Sequence, residues 1–182
     1  MSIIGVITSG YPHVVVLSYC EHGSLLGVLR KSAANGKPVP AKTKQEMAVQ
    51  VAKGMHHLGT HQLIHRDLAA RNVLVSTGMH CKVADFGLSR AADNAGDDGS
   101  EEYYRSSSGV FSVRWTAPEA MATMRYTVAT DMWSYGIVLY ELTSNGIQPY
   151  IGMSNPTIIH FVSKGGRLTK QSTCPTQVYG LC

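Results

Sequence analysis

A run reading His65-Arg66-Asp67-Leu68-Ala69-Ala70-Arg71-Asn72 is followed by Asp85-Phe86-Gly87 and then by Ala117-Pro118-Glu119. Asp67 is a carboxylate that can accept a proton. Asn72, five residues on, offers an amide oxygen to a hard cation such as magnesium. Asp85 adds a carboxylate oxygen suited to bridging such a cation and phosphate oxygens. A proton acceptor, an amide and a second carboxylate in this order suit the transfer of a phosphoryl group. That reaction leaves a protein mainly positioning and charge neutralisation to perform. Arg71, within the same loop, could neutralise charge near the transferred phosphate. A lone loop aspartate more often forms a turn or caps a helix. Three separate triplets in the right order outweigh that plainer reading.

Such residues need rigid elements beneath them. Ile3, Ile4, Val6 and Ile7, the turn Ser9-Gly10-Tyr11-Pro12 and the β-branched run from His13 to Leu17 predict a hairpin. Leu25, Leu26 and Leu29 predict a short helix. Met47, Val51, Met55 and Leu58 recur at helical spacing and predict a second helix, buried on one face and ending near Gly59. Residues 91 to 110, rich in Asp, Gly and Ser, predict a long mobile loop. Trp133, Ile137, Val138 and Leu142 suit a buried central helix. A further helix is expected with Asn155 as N-cap, Pro156 first in the helix and Gly165-Gly166 at its stop.

Bulk properties exclude several classes. The chain has 182 residues, 44% hydrophobic content and a formal charge of +4 with scattered basic residues, so no nucleic-acid surface is indicated. Cys20, Cys81, Cys174 and Cys182 are too dispersed for a zinc ribbon or a dense disulfide scaffold, and reduced thiols are expected. No apolar run approaches the roughly 18 residues of a membrane span. His57, His61 and His65 fall four apart. Gly59 and Thr60 are expected to interrupt any helix that would align them on a metal. Gly5 and Gly10 have Walker spacing, but Tyr11-Pro12 replaces the needed Lys and Ser/Thr.

Ala69-Ala70-Arg71 after Asp67, Trp115 before Thr116-Ala117-Pro118-Glu119, and Asp131-Met132-Trp133-Ser134-Tyr135-Gly136 give the chain a family likeness. It resembles the large C-terminal lobe of a protein tyrosine kinase, most nearly the receptor type, from about Ile3 to its last residue. The resemblance implies an α+β, protein-kinase-like fold: a mainly helical C-lobe with a short N-terminal β-hairpin. Residues 1–23 would be the last N-lobe strands and hinge, and residues 24–182 an incomplete C-lobe. It implies ATP and Mg2+ as cosubstrate and metal. Asp67, Arg71 and Asn72 would be catalytic, with Asn72 and Asp85 on the metal. Leu17, Ser18, Cys20, Leu74 and Asp85 would line the nucleotide site, Leu17 as gatekeeper and Leu74 as the floor beneath adenine. His65, Phe86, Gly87, Glu119 and Asp131 would be structural. Tyr103 and Tyr104, after an acidic stretch, would be autophosphorylated, with Arg66 clamping the phosphate.

The implied partners are proteins with tyrosine acceptors, with dimerisation for trans-autophosphorylation and a membrane tether outside this chain. The implied setting is a cytoplasmic domain beneath a plasma membrane. Departures set further expectations. Before Ile3 there is no room for a glycine-rich phosphate loop, a strand lysine or its partner glutamate, so robust activity is not expected of the isolated chain. The basic partner of Glu119 is expected beyond Cys182. Ser112 stands where tyrosine kinases usually place a proline. The alternative to a kinase is an inactive kinase-like fragment acting as a binding module.

Overall fold

The computed structural model describes residues 3–91, 104–105, 112–174 and 176–179. In chain order the elements are β1 (Ile3–Ile7), β2 (Val14–Leu17), α1 (Leu25–Ala34), α2 (Ala41–Thr60), β3 (Leu63–Ile64), β4 (Val73–Ser76), β5 (His80–Val83), β6 (Arg90–Ala91), β7 (Tyr104–Arg105), α3 (Pro118–Thr123), β8 (Arg125–Tyr126), α4 (Val128–Thr143), α5 (Asn155–Ser163) and α6 (Thr176–Tyr179). The strands form four antiparallel pairs: β1 with β2, β3 with β6, β4 with β5, and β7 with β8. This is the α+β architecture expected, a helical body with a hairpin at its N-terminal end.

Apolar spacing explains which helix faces are covered. Met47, Val51 and Met55 put one stripe of α2 into the core, against Leu25 and Leu29 of α1, Val73 and Val75 of β4, and Val138, Leu139 and Leu142 of α4. Gly54 permits α2 to lie close on β5, since a Cβ there would sit 3.0 Å from Val83 Cγ2. Helix α4 starts at a reciprocal cap. Thr127 Oγ1 accepts from the Thr130 amide at 3.3 Å, and Thr130 Oγ1 accepts from the Thr127 amide at 3.1 Å.

One boundary differs from the sequence reading, and one helix was not expected. Helix α2 ends at Thr60, close to the expected stop near Gly59, with Gly59 itself inside the helix; the cost of that glycine is small beside the packing of a 20-residue element. The cap of α5 is Ser154, whose hydroxyl accepts from the Thr157 amide at 3.3 Å, which moves Asn155 to the first helical position. Pro156 is tolerated one residue later than expected, because the amides of a first turn have no partner inside the helix anyway. Helix α3 carries no long apolar stripe for a sequence reading to find; Pro118 opens it and Glu119 in its first turn favours it. Most of the expected 91–110 loop lies outside the described residues.

The hairpin is the exception to this burial. Val6 is 54% exposed and Ile7 51%, and neighbouring strand residues point to opposite faces, so both faces of the ribbon are open.

Candidate active site

The antiparallel ribbon β4–β5 brings the triplets together. Val73 pairs with Val83, so Asn72 before β4 and Ala84-Asp85 after β5 emerge at one end. The Ala84 amide donates to the Asn72 carbonyl at 2.9 Å and closes that end. The short pair β3–β6, Ile64 opposite Arg90, holds the flanks of the two segments side by side.

From below, α4 fixes the loop of residues 65–72. Asp131 is 3% exposed and its carboxylate accepts two amides, His65 N–H at 2.7 Å and Arg66 N–H at 2.9 Å. Burial pushes the Asp131 carboxyl up, while the two amides and the nearby His65 and Arg66 oppose that rise. The same pair of bonds holds Arg66 at φ +72°, a left-handed conformation that costs a non-glycine residue on the order of 1 kcal/mol or more.

His65 is fully buried, and its Nε2 lies 3.0 Å from the Ala84 carbonyl, which can only accept. The proton is therefore on Nε2, leaving Nδ1 to accept from the Asp67 amide at 3.3 Å. Asp67 is held on both carboxylate oxygens. Arg71 Nη2 meets Oδ1 at 2.5 Å, and Asn72 Nδ2 donates to Oδ2 at 2.8 Å and to the Asp67 carbonyl at 2.7 Å. Arg71 also stacks over the Trp115 ring at 4.4 Å. The structure thus brings Asp67, Arg71 and Asn72 into one cluster, with Arg71 directed at Asp67.

Asp85 has φ +62° and its exposed carboxylate turns back weakly to the Gly87 amide at 3.4 Å. Phe86 packs its ring 5.4 Å from that of His65 yet stays 45% exposed. The donor set suits magnesium. Asn72 spends its NH2 on Asp67, which leaves its amide oxygen available, and Asp85 presents an exposed carboxylate at the same end of the ribbon. Magnesium commonly takes one or two protein oxygens and completes its shell with waters and phosphates. Among the described residues no group of three His, Cys, Asp or Glu forms a closed cage.

Residues 22–24, at the end of the expected hinge, lie against the same ribbon. The His22 amide donates to the Val75 carbonyl at 3.1 Å, the Val75 amide to the Gly23 carbonyl at 2.8 Å, and Ser24 bridges Leu74. Leu74 is partly buried beside this crossing; Cys20 is buried, Ser18 half-buried and Leu17 42% exposed. Of the residues expected to be regulatory, Tyr103 lies outside the described residues. Tyr104 is placed by its backbone only, paired with Tyr126, and Arg66 lies 4.8 Å over the Tyr126 ring and donates to the Leu88 carbonyl at 3.0 Å. Glu119 is exposed on α3.

Two contributors were not singled out from sequence. Glu141, 1% exposed in α4, accepts on Oε2 from both the Ala70 amide at 2.8 Å and Trp115 Nε1 at 3.0 Å. Burial pushes its carboxyl up, against those two bonds. The signal was a charge inside the apolar run Ile137 to Leu142. Arg114 donates to the carbonyls of Pro149, Tyr150 and Met153 at 2.7 to 2.8 Å, tying the 112–116 turn to the segment before α5. An arginine one residue before Trp115 carried no comparable sequence signal.

A model of the family described as protein tyrosine and serine/threonine kinase matches residues 1–182. The chain is 41% identical over 177 residues to ephrin type-A receptor 7 of Gallus gallus, covering 97% of this chain and 17% of that protein. It is 40% identical over 178 residues to ephrin type-B receptor 4b of Danio rerio, covering 97% of this chain and 18% of the receptor. It is 38% identical over 180 residues to tyrosine-protein kinase SRK3 of Spongilla lacustris, covering 98% of this chain and 51% of that protein. The chain therefore spans about one sixth to one half of the length of these relatives.

Proposed function

The chain belongs to the protein tyrosine and serine/threonine kinase family, and from that premise we propose that its residues transfer the γ-phosphate of ATP to tyrosine hydroxyls of proteins. The observation that carries this is the Asp67–Arg71–Asn72 cluster, with Asp85 at the same end of the ribbon. Asp67 receives the phenolic proton as the tyrosine oxygen bonds to the γ-phosphorus and the bond to the β-phosphate oxygen breaks. Asn72 and Arg71 hold the Asp67 carboxylate so that one lone pair faces the acceptor. Asn72 and Asp85 would hold Mg2+. That ion supplies neutralisation of charge on the phosphates. Backbone groups of Ser18 and Cys20 would bind adenine, between Leu17 and Leu74.

These residues form the lower wall of a two-sided site: residues 1–23 are the end of the upper lobe and hinge, residues 24–182 the lower lobe. Regulation would run through Tyr103 and Tyr104. The backbone pairing of residue 104 with Tyr126, over whose ring Arg66 lies, supports this reading. Proteins with tyrosine acceptors are the substrates. A cytoplasmic setting, a tether elsewhere and trans-autophosphorylation in a dimer complete the reading; among the described residues no helix is long and apolar enough to cross a membrane.

The test exchanges residues 1–182 for the matched half of SRK3 and measures transfer from ATP to a tyrosine peptide. Transfer by the chimera and its loss in Asp67→Asn are the expected results. A folded chimera that is silent, or one whose activity survives Asp67→Asn undiminished, would leave the binding-module alternative standing.

A further inference from the structure

Ser112 stands just before the Val113–Trp115 turn, outside the catalytic loop. Its Oγ accepts from Arg71 Nη2 at 2.9 Å, and the same nitrogen is 2.5 Å from Asp67 Oδ1. Arginine has no acceptor, so the hydroxyl oxygen is the acceptor of this bond. The Ser112 backbone is itself pinned, because its carbonyl accepts from the Trp115 amide at 2.8 Å and from Thr116 Oγ1 at 3.0 Å. The guanidinium is therefore caught between the serine hydroxyl, the Asp67 carboxylate and the Trp115 ring, and Glu141 holds that ring in turn.

Ser112 has φ −82°, within reach of a proline ring. Serine and the proline expected by resemblance thus differ here chiefly in the hydroxyl. Without it, Nη2 keeps only the Asp67 carboxylate as hydrogen-bond partner, and one restraint on Arg71 disappears. The geometry points to Ser112 as a positioning residue, whose hydroxyl holds Arg71 on Asp67 and so sets the orientation of that carboxylate. This rests on Asp67 being the proton acceptor, while the measurement below does not require turnover.

The test uses the 182-residue chain labelled with 15N, with Arg71 assigned through Arg71→Lys. Two side-chain signals report: the Arg71 Nη groups, and the Asn72 amide that donates to both Asp67 Oδ2 and the Asp67 carbonyl. In Ser112→Ala the Nη groups should rotate faster by about tenfold, the kinetic equivalent of losing one charge-assisted bond. The Asn72 amide signals should shift with them. Ser112→Thr should restore both signatures, and Ser112→Pro should behave as Ser112→Ala, while the backbone amides of α4 stay in place in all three. Unchanged Arg71 signals in Ser112→Ala would overturn the contact. Changed Arg71 signals with an unmoved Asn72 amide would overturn the relay to Asp67.

Discussion

Replacing Glu141 separates charge from hydrogen bonding beneath the loop of residues 65–72. Both of its bonds fall on one oxygen: the Ala70 amide and Trp115 Nε1 donate to Oε2. Glu141→Leu is close in volume but strands two buried donors, one of them backbone that no packing change removes. Leaving each unpaired costs about 1–3 kcal/mol, so the pair costs about 2–6 kcal/mol, or roughly 5–20 °C in Tm for a chain of this size. Glu141→Gln keeps a carbonyl oxygen where Oε2 sits and should cost about 1 kcal/mol or less, roughly 2–4 °C. The assay is thermal and urea unfolding of the three proteins at pH 7, followed by the fluorescence of Trp115 and Trp133. A leucine variant as stable as the glutamine variant would refute the reasoning, since the two donors would then not depend on Glu141.

Linkage gives a second test at the same residue. Burial raises the Glu141 carboxyl above its ordinary 4.5, so the folded state binds its proton more tightly than the unfolded state does. That contribution is present in full below 4.5 and is lost as pH rises through the folded-state value. The stability of the native chain relative to Glu141→Gln should therefore fall as pH climbs from about 4.5, and a difference that grows instead would contradict it. Gly146→Ala should destabilise by about 1–2 kcal/mol in urea unfolding, because φ is +81° and a Cβ would meet Arg30 Cγ at 3.0 Å. The isolated 182-residue chain should show negligible transfer to a tyrosine peptide, since it carries no glycine-rich phosphate loop or phosphate-facing strand lysine; robust Asp67-dependent turnover would refute this. In the SRK3 chimera, Tyr103→Phe with Tyr104→Phe should lower activity after preincubation with ATP and leave the unpreincubated rate unchanged, which progress curves would reveal.

Much of the candidate site was legible because its chemistry is local. Asp67 and Asn72 sit five residues apart in one loop, and residue type with spacing is enough to suggest a proton acceptor beside a metal ligand. Helix α2 was legible because burial of one stripe writes a 3.6-residue period into the chain, and α4 because a helix buried on most of its sides is dense in apolar residues. The start of α5 was displaced by one residue because Ser154 and Asn155 are both good caps, and only the backbone path chose between them.

What tertiary structure decided are the contacts between residues far apart in the chain. Nothing in the order of residues says that Asp131 binds the amides of His65 and Arg66, or that Glu141 reaches Ala70 across 71 positions. Nor does it say that Ser112 meets Arg71 across 41. The bonds of Asp131 and Glu141 exist because α4 is buried against the loop, where an unpaired amide or carboxylate is too costly to leave. The sequence alone determined which groups could perform the chemistry; packing of α4 and the 112–116 turn determined how those groups are aimed.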